Sequence, residues 1–383
     1  MIIFLSVFLF LYGGMHAYLF IRVKSAGVLP PALTLPFSLL LLLMIFMPMI
    51  IRYTEKAGYE SLSRIAAWGG FVWMGWLLLF CSFAFAYDVF RGIVSVMGQI
   101  AARDLSFMLA RPPVALALLF GLSIATTLYG SWEARNIRTE HLQLSTSRLP
   151  SGIDRLRIVQ ISDVHIGLIN RENLLRRIAD AVKKTDPDIL VSTGDMVDGQ
   201  VCGYDGYAAI LRKIVPRFGK FAITGNHEFY AGIKEAKCFH DDAGFVLLRG
   251  QRVNVGNIIT VVGIDDPAAR QVKSGSSSAS AMTEKDLLAD LPRDRFRLLL
   301  KHRPLVDRNA IGLFDLQLSG HVHKGQIFPF SILTWLYYPI QAGLADLSNG
   351  SRLYVSRGTG TWGPPLRVLS PPEVTVIDVM RIR

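Results

Sequence analysis

The stretch "DLQLSGHVHKGQ" (Asp315–Gln326) places two histidines one residue apart, directly after a glycine and an apolar run. Residues at positions i and i+2 of an extended strand point to the same face, so the side chains of His321 and His323 can contact one small object. Two imidazoles that converge in this way favour the binding of a metal ion. Because such a pair alone is more often a structural feature, the metal hypothesis depends on further ligand-type residues elsewhere in the chain.

Polar motifs follow several other predicted strands. From about Ser131 onward, short apolar runs rich in β-branched residues alternate with charged helical stretches, which is typical of an α/β domain. The motifs at the ends of these runs are SDVH with Asp163 and His165, GDMVD with Asp195 and Asp198, GNHE with Asn226 and His227, and KHRP with His302. Together with the histidine pair they contain five of the eight histidines of the chain. Since α/β folds place their chemistry at the carboxyl ends of strands, we expect these side chains to form one site.

This ordered set of motifs resembles that of the calcineurin-like metallophosphoesterase superfamily. The stretches "ISDVHIG", "LSGHVHKGQI" and "LYVSRGTGTWGPP" are similar to its membrane-anchored, YkuE-like bacterial branch, and the similarity covers Leu156 to Val379. The resemblance implies an α/β domain of two packed mixed β-sheets flanked by helices, an αββα arrangement. With the apolar N-terminal third of the chain, we predict a transmembrane region at 1–130, a linker at 131–154 and a metallophosphoesterase domain at 155–383.

The resemblance also implies a centre of two divalent metal ions. By position, the first metal would be bound by Asp163, His165 and His323, the second by Asn226, His302 and His321, and Asp195 would bridge both. A shared carboxylate is reasonable on physical grounds, because it offsets the repulsion between two close cations. Mixed nitrogen and oxygen ligation suits manganese, iron or zinc and does not choose among them.

Further residues would complete the chemistry. The family comparison implies that a metal-activated water attacks phosphorus, that His227 protonates the leaving oxygen, and that Asp198 orients the His227 ring. Asp198 could instead cap a helix. Arg303 could contact phosphate or lie on the surface. Lys301 and Lys324 stand where this branch usually has small residues, and each could contact an anionic substrate or point to solvent.

Four long apolar stretches precede the α/β region and explain why 51% of the chain is hydrophobic. None contains an internal Lys, Arg, Asp or Glu, and each has about the length that crosses a hydrocarbon core. They are Met1–Ile21, Leu33–Ile51, Ile65–Tyr87 and Val114–Gly130. We predict four membrane-spanning helices, because a signal peptide would begin with basic residues and would not be followed by three more such stretches. Gly92–Ala110, which contains Arg103 and Asp104, is predicted to lie at the membrane interface.

Charge gives weaker information on orientation and partners. The net charge of +11 fits either contact with anionic headgroups or an ordinary basic surface. Arg22 and Lys24 at the end of the first span favour a cytoplasmic position for the loop that follows. With four spans in the cell (inner) membrane, the catalytic domain is then expected on the extracytoplasmic side. The three cysteines, Cys81, Cys202 and Cys238, have no zinc-finger spacing. The oligomeric state is left open.

The segment Ile327–Leu344 is too short and too interrupted by proline to span a membrane. It is either a core-packed insertion or an apolar lip with Trp335, Tyr337 and Tyr338 at the level of the lipid headgroups. Lys273–Ala281 is predicted to be a flexible loop.

Three functions follow from these expectations. The first is a membrane-bound phosphohydrolase acting on a lipid or lipid-linked phosphoester, with membrane lipids and an amphiphilic phosphoester as partners. The second is a nucleotide or nucleic-acid phosphodiesterase, although no aromatic-rich basic repeat of a nucleic-acid groove is present and nucleic acid is not expected as a partner. The third is a non-catalytic metal-binding scaffold. The presence of both His227 and Asp198 argues against a scaffold, because neither is needed to hold a metal.

Overall fold

The computed structural model describes residues 2–199, 205–270 and 282–382. Cys202 and the predicted loop Lys273–Ala281 lie outside the described residues. The chain divides into two compact units, one of Met1–Trp132 with Gly363–Leu366 and one of Glu133–Trp362 with Arg367–Arg383.

The first unit contains long apolar helices. They are α1 (Ile2–Ser25), α2 (Pro31–Lys56), α3 (Glu60–Ala101) and α4 (Pro112–Glu133). Each includes a window that is long and apolar enough to cross a membrane, in agreement with the four apolar stretches of the sequence. Within the unit, Asp88 of α3 accepts hydrogen bonds from the hydroxyl of Tyr18 at 2.5 Å and from the guanidinium of Arg22 at 2.7 Å. These bonds tie α1 to α3.

Helix α3 differs from the prediction at its C-terminal end. Its 42 residues correspond to about 63 Å at 1.5 Å per residue, roughly twice the thickness of a hydrocarbon core. The first part of Gly92–Ala110, predicted as a separate interfacial segment, therefore continues this helix to Ala101. The segment contains no proline before Arg111 that would break the helix, and the chain leaves it only at Ala102, where φ is 49°.

The second unit is built on two six-stranded mixed sheets. The first sheet has the spatial order β1-β12-β2-β3-β4-β5, with β1 (Arg138–Thr146), β2 (Arg155–Ile161), β3 (Ile189–Ser192), β4 (Lys220–Ala222), β5 (Val246–Leu247) and β12 (Glu373–Arg381). The second has the order β10-β11-β9-β8-β7-β6, with β6 (Gln251–Val255), β7 (Ile259–Gly263), β8 (Phe296–Leu300), β9 (Leu316–Ser319), β10 (Gly343–Asp346) and β11 (Arg352–Val355).

Short helices flank these sheets. They are α5 (Glu172–Thr185), α6 (Asp205–Arg212), α7 (Asn226–Ala231), α8 (Ile233–Asp242), α9 (Glu284–Leu288) and α10 (Phe330–Tyr337). Between the sheets, Ile158 and Val191 of the first share a buried core with Leu298 and Leu318 of the second. A second core lies between the first sheet and the helices α5, α6 and α8. The predicted fold class is thus confirmed: apolar N-terminal helices precede a two-sheet α/β domain.

Strand β1 lies in the segment 131–154, which we predicted to be a linker. It pairs in parallel with β12 along its whole length, from Arg138 opposite Glu373 to Thr146 opposite Arg381. Its sequence conceals this role, because only Leu144 of its nine residues is buried and the others are polar or half-exposed, as at a sheet edge. The exact domain boundaries stay predictions.

Candidate metal centre

The candidate ligands follow neighbouring parallel strands. In the first sheet, β2, β3 and β4 run parallel side by side, and Asp163, Asp195 and Asn226 come shortly after their carboxyl ends. In the second sheet, β8 and β9 are parallel neighbours that are followed by His302 and His321. Parallel strands present their carboxyl ends at one edge, so both sheets direct polar side chains to a common region.

The turns after these strands take an uncommon backbone conformation. Left-handed φ angles between 48° and 73° occur at Asp163, His165, Asp195, His321 and His323. Residues with a side chain rarely adopt this region, and clusters of them occur where the surrounding structure over-determines a functional site. Sequence patterns gave no sign of this feature.

Gly194 shows why a glycine precedes one of these ligands. Its φ is 93°, and a Cβ atom at this position would lie 2.8 Å from Nδ1 of His302. Only glycine allows the backbone to pass so close to the imidazole.

Three side chains from the first and last motifs meet in one buried group. The Nε2 atoms of His165 and His323 are 3.2 Å apart, and Nε2 of His323 is 3.6 Å from Oδ1 of Asp163. All three residues are buried. These are the residues that the sequence assigned to a first metal.

A second group lies beside the first and shares Asp195 with it. Nε2 of His302 is 3.2 Å from Oδ2 of Asp195 and 3.1 Å from Nδ1 of His321. The same Oδ2 is 3.8 Å from Nε2 of His165, so the Asp195 carboxylate lies between the two groups. This is the position that a bridging ligand requires.

Asn226 and the histidine tautomers fit bound cations. Oδ1 of Asn226 is buried and has no hydrogen-bond partner among the described residues, which is costly unless a cation satisfies it. His302 donates its Nδ1 hydrogen to the carbonyl of Thr193 at 2.8 Å, which leaves Nε2 as the ligand atom. The nitrogen and oxygen donor set therefore fits two divalent cations, and the residues that would hold them are Asp163, His165, Asp195, Asn226, His302, His321 and His323.

Titration behaviour supports this fit. Burial lowers the pKa of His165 to about 4, and burial with repulsion from His302 lowers the pKa of His321 to about 3, so both rings are neutral near pH 7. Burial alone would raise the pKa of Asp195, but the positive charge of His302 holds it well below its usual range. Neutral imidazoles and an ionised carboxylate are the forms that bind metals.

Burial and neighbouring charges also shift the pKa values of His302 and Asp163. Burial alone would lower the pKa of His302, but the carboxylate of Asp195 outweighs burial and raises it to about 10. Burial raises the pKa of Asp163 to about 6. His302 would have to lose its proton in order to hold a cation, so metal binding would release protons at this centre.

Glu228 organises the centre without being one of the predicted ligands. Its buried carboxylate accepts hydrogen bonds from the backbone N–H groups of Asp195 at 3.0 Å, Met196 at 2.6 Å and Gly225 at 2.7 Å. It thereby holds the turn that contains Asp195 against the turn that contains Asn226. Its place in the GNHE motif was visible in the sequence, but these backbone partners were not.

Arg367 supports the opposite side of the centre and was missed by sequence reasoning. It is fully buried, and its Nη2 lies 3.1 Å from Nδ1 of His323. The same guanidinium donates to the backbone carbonyls of Arg357 at 2.7 Å and Gly360 at 3.2 Å. It therefore fixes the His323 ring relative to the loop after β11.

His227 and Asp198 form a pair beside the shared carboxylate. Nδ1 of His227 donates to Oδ1 of Asp198 at 2.9 Å, and the backbone N–H of His227 donates to Oδ1 of Asp195 at 2.8 Å. Burial alone would lower the pKa of His227, but the carboxylates of Asp195 and Asp198 raise it to about 9. The ring also contacts the edge of His165 and of the exposed Trp362. Asp198 is thus placed to orient the His227 ring.

Three further basic residues of the motifs have separate environments. Nζ of Lys301 is 2.5 Å from a carboxylate oxygen of Glu284 and its side chain is mostly buried, so Lys301 is paired within the domain and does not point to solvent. Arg303 donates two hydrogen bonds to the buried Asp266, at 2.7 and 3.0 Å. Lys324 has a left-handed φ of 49° and makes no ion pair within the described residues.

The arrangement supports phosphoester chemistry. When bound, a pair of divalent cations would neutralise charge on phosphoryl oxygens and lower the pKa of an attacking water. The protein holds these ligands through backbone contacts from Glu228 and Arg367, and neighbouring carboxylates raise the pKa of His227 at the edge of the site. Such preorganisation reduces the reorganisation needed during the reaction.

Comparisons with known proteins agree with the geometry. Residues 156–325 match the model of the family described as calcineurin-like phosphoesterase. An uncharacterized metallophosphoesterase of Aquifex aeolicus is 35% identical over 260 residues, which are 67% of this chain and 97% of that protein. A Danio rerio protein named transmembrane protein with metallophosphoesterase domain is 30% identical over 79% of this chain and 70% of its own length.

The YkuE resemblance is also confirmed. The uncharacterized metallophosphoesterase YkuE of Bacillus subtilis is 31% identical over 258 residues, which are 64% of this chain and 87% of that protein. With the two-sheet domain and its clustered ligand residues, these matches leave one conclusion. The chain belongs to the calcineurin-like metallophosphoesterases; it is a membrane protein and a metal-dependent phosphoester hydrolase.

Proposed function

We propose that this enzyme is a multi-pass membrane phosphohydrolase that uses two metal ions to cleave a lipid or lipid-linked phosphoester. The observation that supports this most is the combination, in one chain, of four candidate membrane spans with a buried cluster of ligand residues next to a His227–Asp198 pair. A membrane anchor keeps the catalytic domain near lipid substrates.

The proposed roles follow the two groups of the centre. Asp163, His165 and His323 bind one cation, and Asn226, His302 and His321 bind the other, while Asp195 bridges them. The donor set does not distinguish manganese, iron and zinc, since mixed imidazole and carboxylate ligation suits all three.

His227 is proposed as the general acid. Because its Nδ1 hydrogen is donated to Asp198, Nε2 is the atom that can give a proton to the leaving oxygen. Asp198 is a positioning residue that keeps the ring in this orientation. His227 also belongs to a group with His165 and Asp195 that could hold a metal ion. Its bond to Asp198 favours the catalytic role, because a metal ligand would not need this partner.

The experiment is a hydrolysis screen with the purified full-length protein and a lipid extract, with release of phosphorus-containing products as the readout. The proposal expects products with manganese, and none with the Asp195→Asn variant or with a chelator. Hydrolysis of nucleotides with an unchanged lipid extract would overturn the lipid assignment in favour of a nucleotide phosphodiesterase. No hydrolysis of lipid, nucleotide or nitrophenyl ester, with metals bound, would favour a scaffold.

The catalytic domain is proposed to lie on the extracytoplasmic side of the cell membrane, from the basic residues that follow the first span. Cys238 is exposed on α8 and offers a direct test. In a variant with Cys81 and Cys202 replaced by alanine, an impermeant maleimide should label Cys238 in intact cells, and a further Cys238→Ala change should remove the signal. Labelling only after lysis would place the domain in the cytoplasm.

A further inference from the structure

Helix α10 exposes almost all of its apolar side chains. Leu333, Trp335, Leu336 and Tyr337 are each more than half exposed, with Leu336 and Tyr337 at 69%, and none of the eight residues of the helix is buried. Soluble helices normally bury one apolar stripe. A continuous exposed apolar surface of this kind marks an interaction site.

Helix α5 of the same domain shows the ordinary arrangement. Its Leu174, Ile178 and Val182, spaced by four residues, are all buried against the first sheet, while its charged residues face outward. The contrast shows that α10 is not a core-packed insertion, which was one of the two predictions for Ile327–Leu344. The predicted apolar lip is also corrected in one detail, because Tyr338 is buried whereas Trp335 and Tyr337 are exposed.

Tyr338 anchors the helix beside the metal centre. It packs with Val322, Leu353 and Val355 in a small core at the second sheet, and its ring contacts the ring of His321 with centroids 5.6 Å apart. The exposed helix is therefore fixed next to a candidate ligand at one end and presents its apolar residues away from the domain core.

The composition of the segment fits a lipid surface. No charged residue occurs between Ile327 and Leu344, while Trp335 and Tyr337 are of the type enriched at membrane interfaces. At the base of the helix, Lys324 and Arg357 line a groove together with Trp335. Arg357 is paired with Glu140 and Glu373, so Lys324 provides the uncompensated charge of this groove among the described residues. A cation at the rim of an apolar surface is complementary to anionic headgroups.

We propose that α10 inserts its apolar surface into the lipid bilayer, at the boundary of headgroups and acyl chains. An eight-residue helix is about 12 Å long, which is too short to span a bilayer but sufficient to lie in its interface. The domain that contains α10 is tethered to a candidate membrane span, because four residues connect the last such helix, ending at Glu133, to β1 at Arg138. The partner is thus a lipid surface, and not a second protein.

This inference deepens the proposed function and rests on it for its catalytic consequence. An inserted α10, anchored through Tyr338 beside His321, gives a lipid phosphoester a path from the bilayer to the metal centre without passing through water. The insertion itself does not depend on catalysis, so the two can be tested apart.

Insertion is tested with spin labels on the full-length protein in nanodiscs of phosphatidylethanolamine and phosphatidylglycerol. In a background without native cysteines, labels are placed by Leu333→Cys or Leu336→Cys, and by Val215→Cys as the matched control. Val215 is an apolar residue of the same domain that is 86% exposed and lies between α6 and β4. Collision with oxygen should exceed collision with a water-soluble nickel chelate at positions 333 and 336 and not at 215. Equal accessibility at all three positions would overturn the proposal.

Measurements of hydrolysis provide a second test of the proposal. The double variant Leu333→Asp with Leu336→Asp should lose about tenfold or more of its activity on a lipid phosphoester, since carboxylates resist entry into the bilayer. Its activity on a soluble nitrophenyl ester should change less than about twofold, as should both activities of Val215→Asp. Equal loss on both substrates would contradict a role in lipid access. An inactive wild-type protein whose labels still report lipid would refute the proposed function and leave the insertion standing.

Discussion

The metal centre and helix α10 lie in the same domain, yet they invert the usual distribution of side chains in opposite ways. The centre buries carboxylates and imidazoles such as Asp163 and His302, and α10 exposes large apolar groups such as Leu336. Burying charge without a counterion and exposing apolar surface to water are both unfavourable. Each region therefore indicates a binding partner, which we propose to be divalent cations in one case and lipid in the other.

The two regions should also differ in how strongly a single substitution affects function. Ligands of a metal centre act as a unit, so loss of one shared group removes the function. An interfacial helix acts through the sum of many weak contacts, so single changes have graded effects. The expected effects of substitutions below follow this order.

Asp195→Asn should have the largest effect. Removing one carboxylate charge from the position between the two ligand groups should abolish measurable hydrolysis and lower the metal content below two equivalents. Elemental analysis and kcat/KM measure both effects. Asp378→Asn, which changes an aspartate paired with Arg157 away from the centre, is the control and should retain activity. Two bound equivalents with normal turnover in Asp195→Asn would refute the bridging role.

His227→Ala separates catalysis from metal binding. The variant should keep both metals, and hydrolysis of esters with poor leaving groups should fall by about 10²–10⁴-fold if a general acid is lost. An activated nitrophenyl ester scarcely needs protonation of its leaving oxygen, so its hydrolysis should fall much less. Loss of metal, or an equal decrease with both kinds of ester, would show that His227 is a ligand or only positions the substrate.

Glu228→Gln tests the support of the centre. The carboxylate accepts three backbone N–H groups, and an amide has one acceptor oxygen in place of two, so the variant should lose about 1–3 kcal/mol of stability. The midpoint of thermal unfolding and the metal affinity should both fall. Glu235→Gln, at an exposed position on α8, is the control. An unchanged midpoint in Glu228→Gln would mean that these hydrogen bonds contribute little.

Lys324→Gly should have the smallest effect and the opposite sign. Lys324 lies between the proposed metal ligand His323 and α10 with a left-handed φ of 49°, which glycine adopts without strain. We expect a stability gain of up to about 1 kcal/mol, together with a weaker preference for anionic over zwitterionic lipid. Lys324→Arg retains the charge and should retain the lipid preference. A loss of stability in Lys324→Gly would show that the lysine side chain has a structural role.

The sequence predicted those parts of the molecule that local patterns determine. Residues following β-branched runs, such as Asp163 and His321, could be assigned to one edge of a domain because strand ends converge in α/β folds. The apolar spans could be recognised from length and lack of charge. The ordered set of motifs then indicated one superfamily, which the single histidine pair alone could not do.

Contacts between distant segments could not be predicted in this way. The bonds of Arg367 to the loop after β11 and to His323 depend on how the chain folds back, and an isolated arginine gives no sign of complete burial. Strand β1 is polar because it lies at a sheet edge, so it was taken for a linker. The exposure of α10 could not be distinguished from burial, since both interpretations require the same apolar residues.

Metal titration of the metal-free full-length protein decides whether the buried cluster is a two-metal catalytic centre. Manganese is added in steps while bound metal and hydrolysis of a nitrophenyl phosphodiester are measured on the same sample. We predict two equivalents bound per chain, with activity reaching its maximum only when the second site fills. Full activity at one equivalent, or two bound equivalents without hydrolysis of any phosphoester, would contradict this interpretation of the structure.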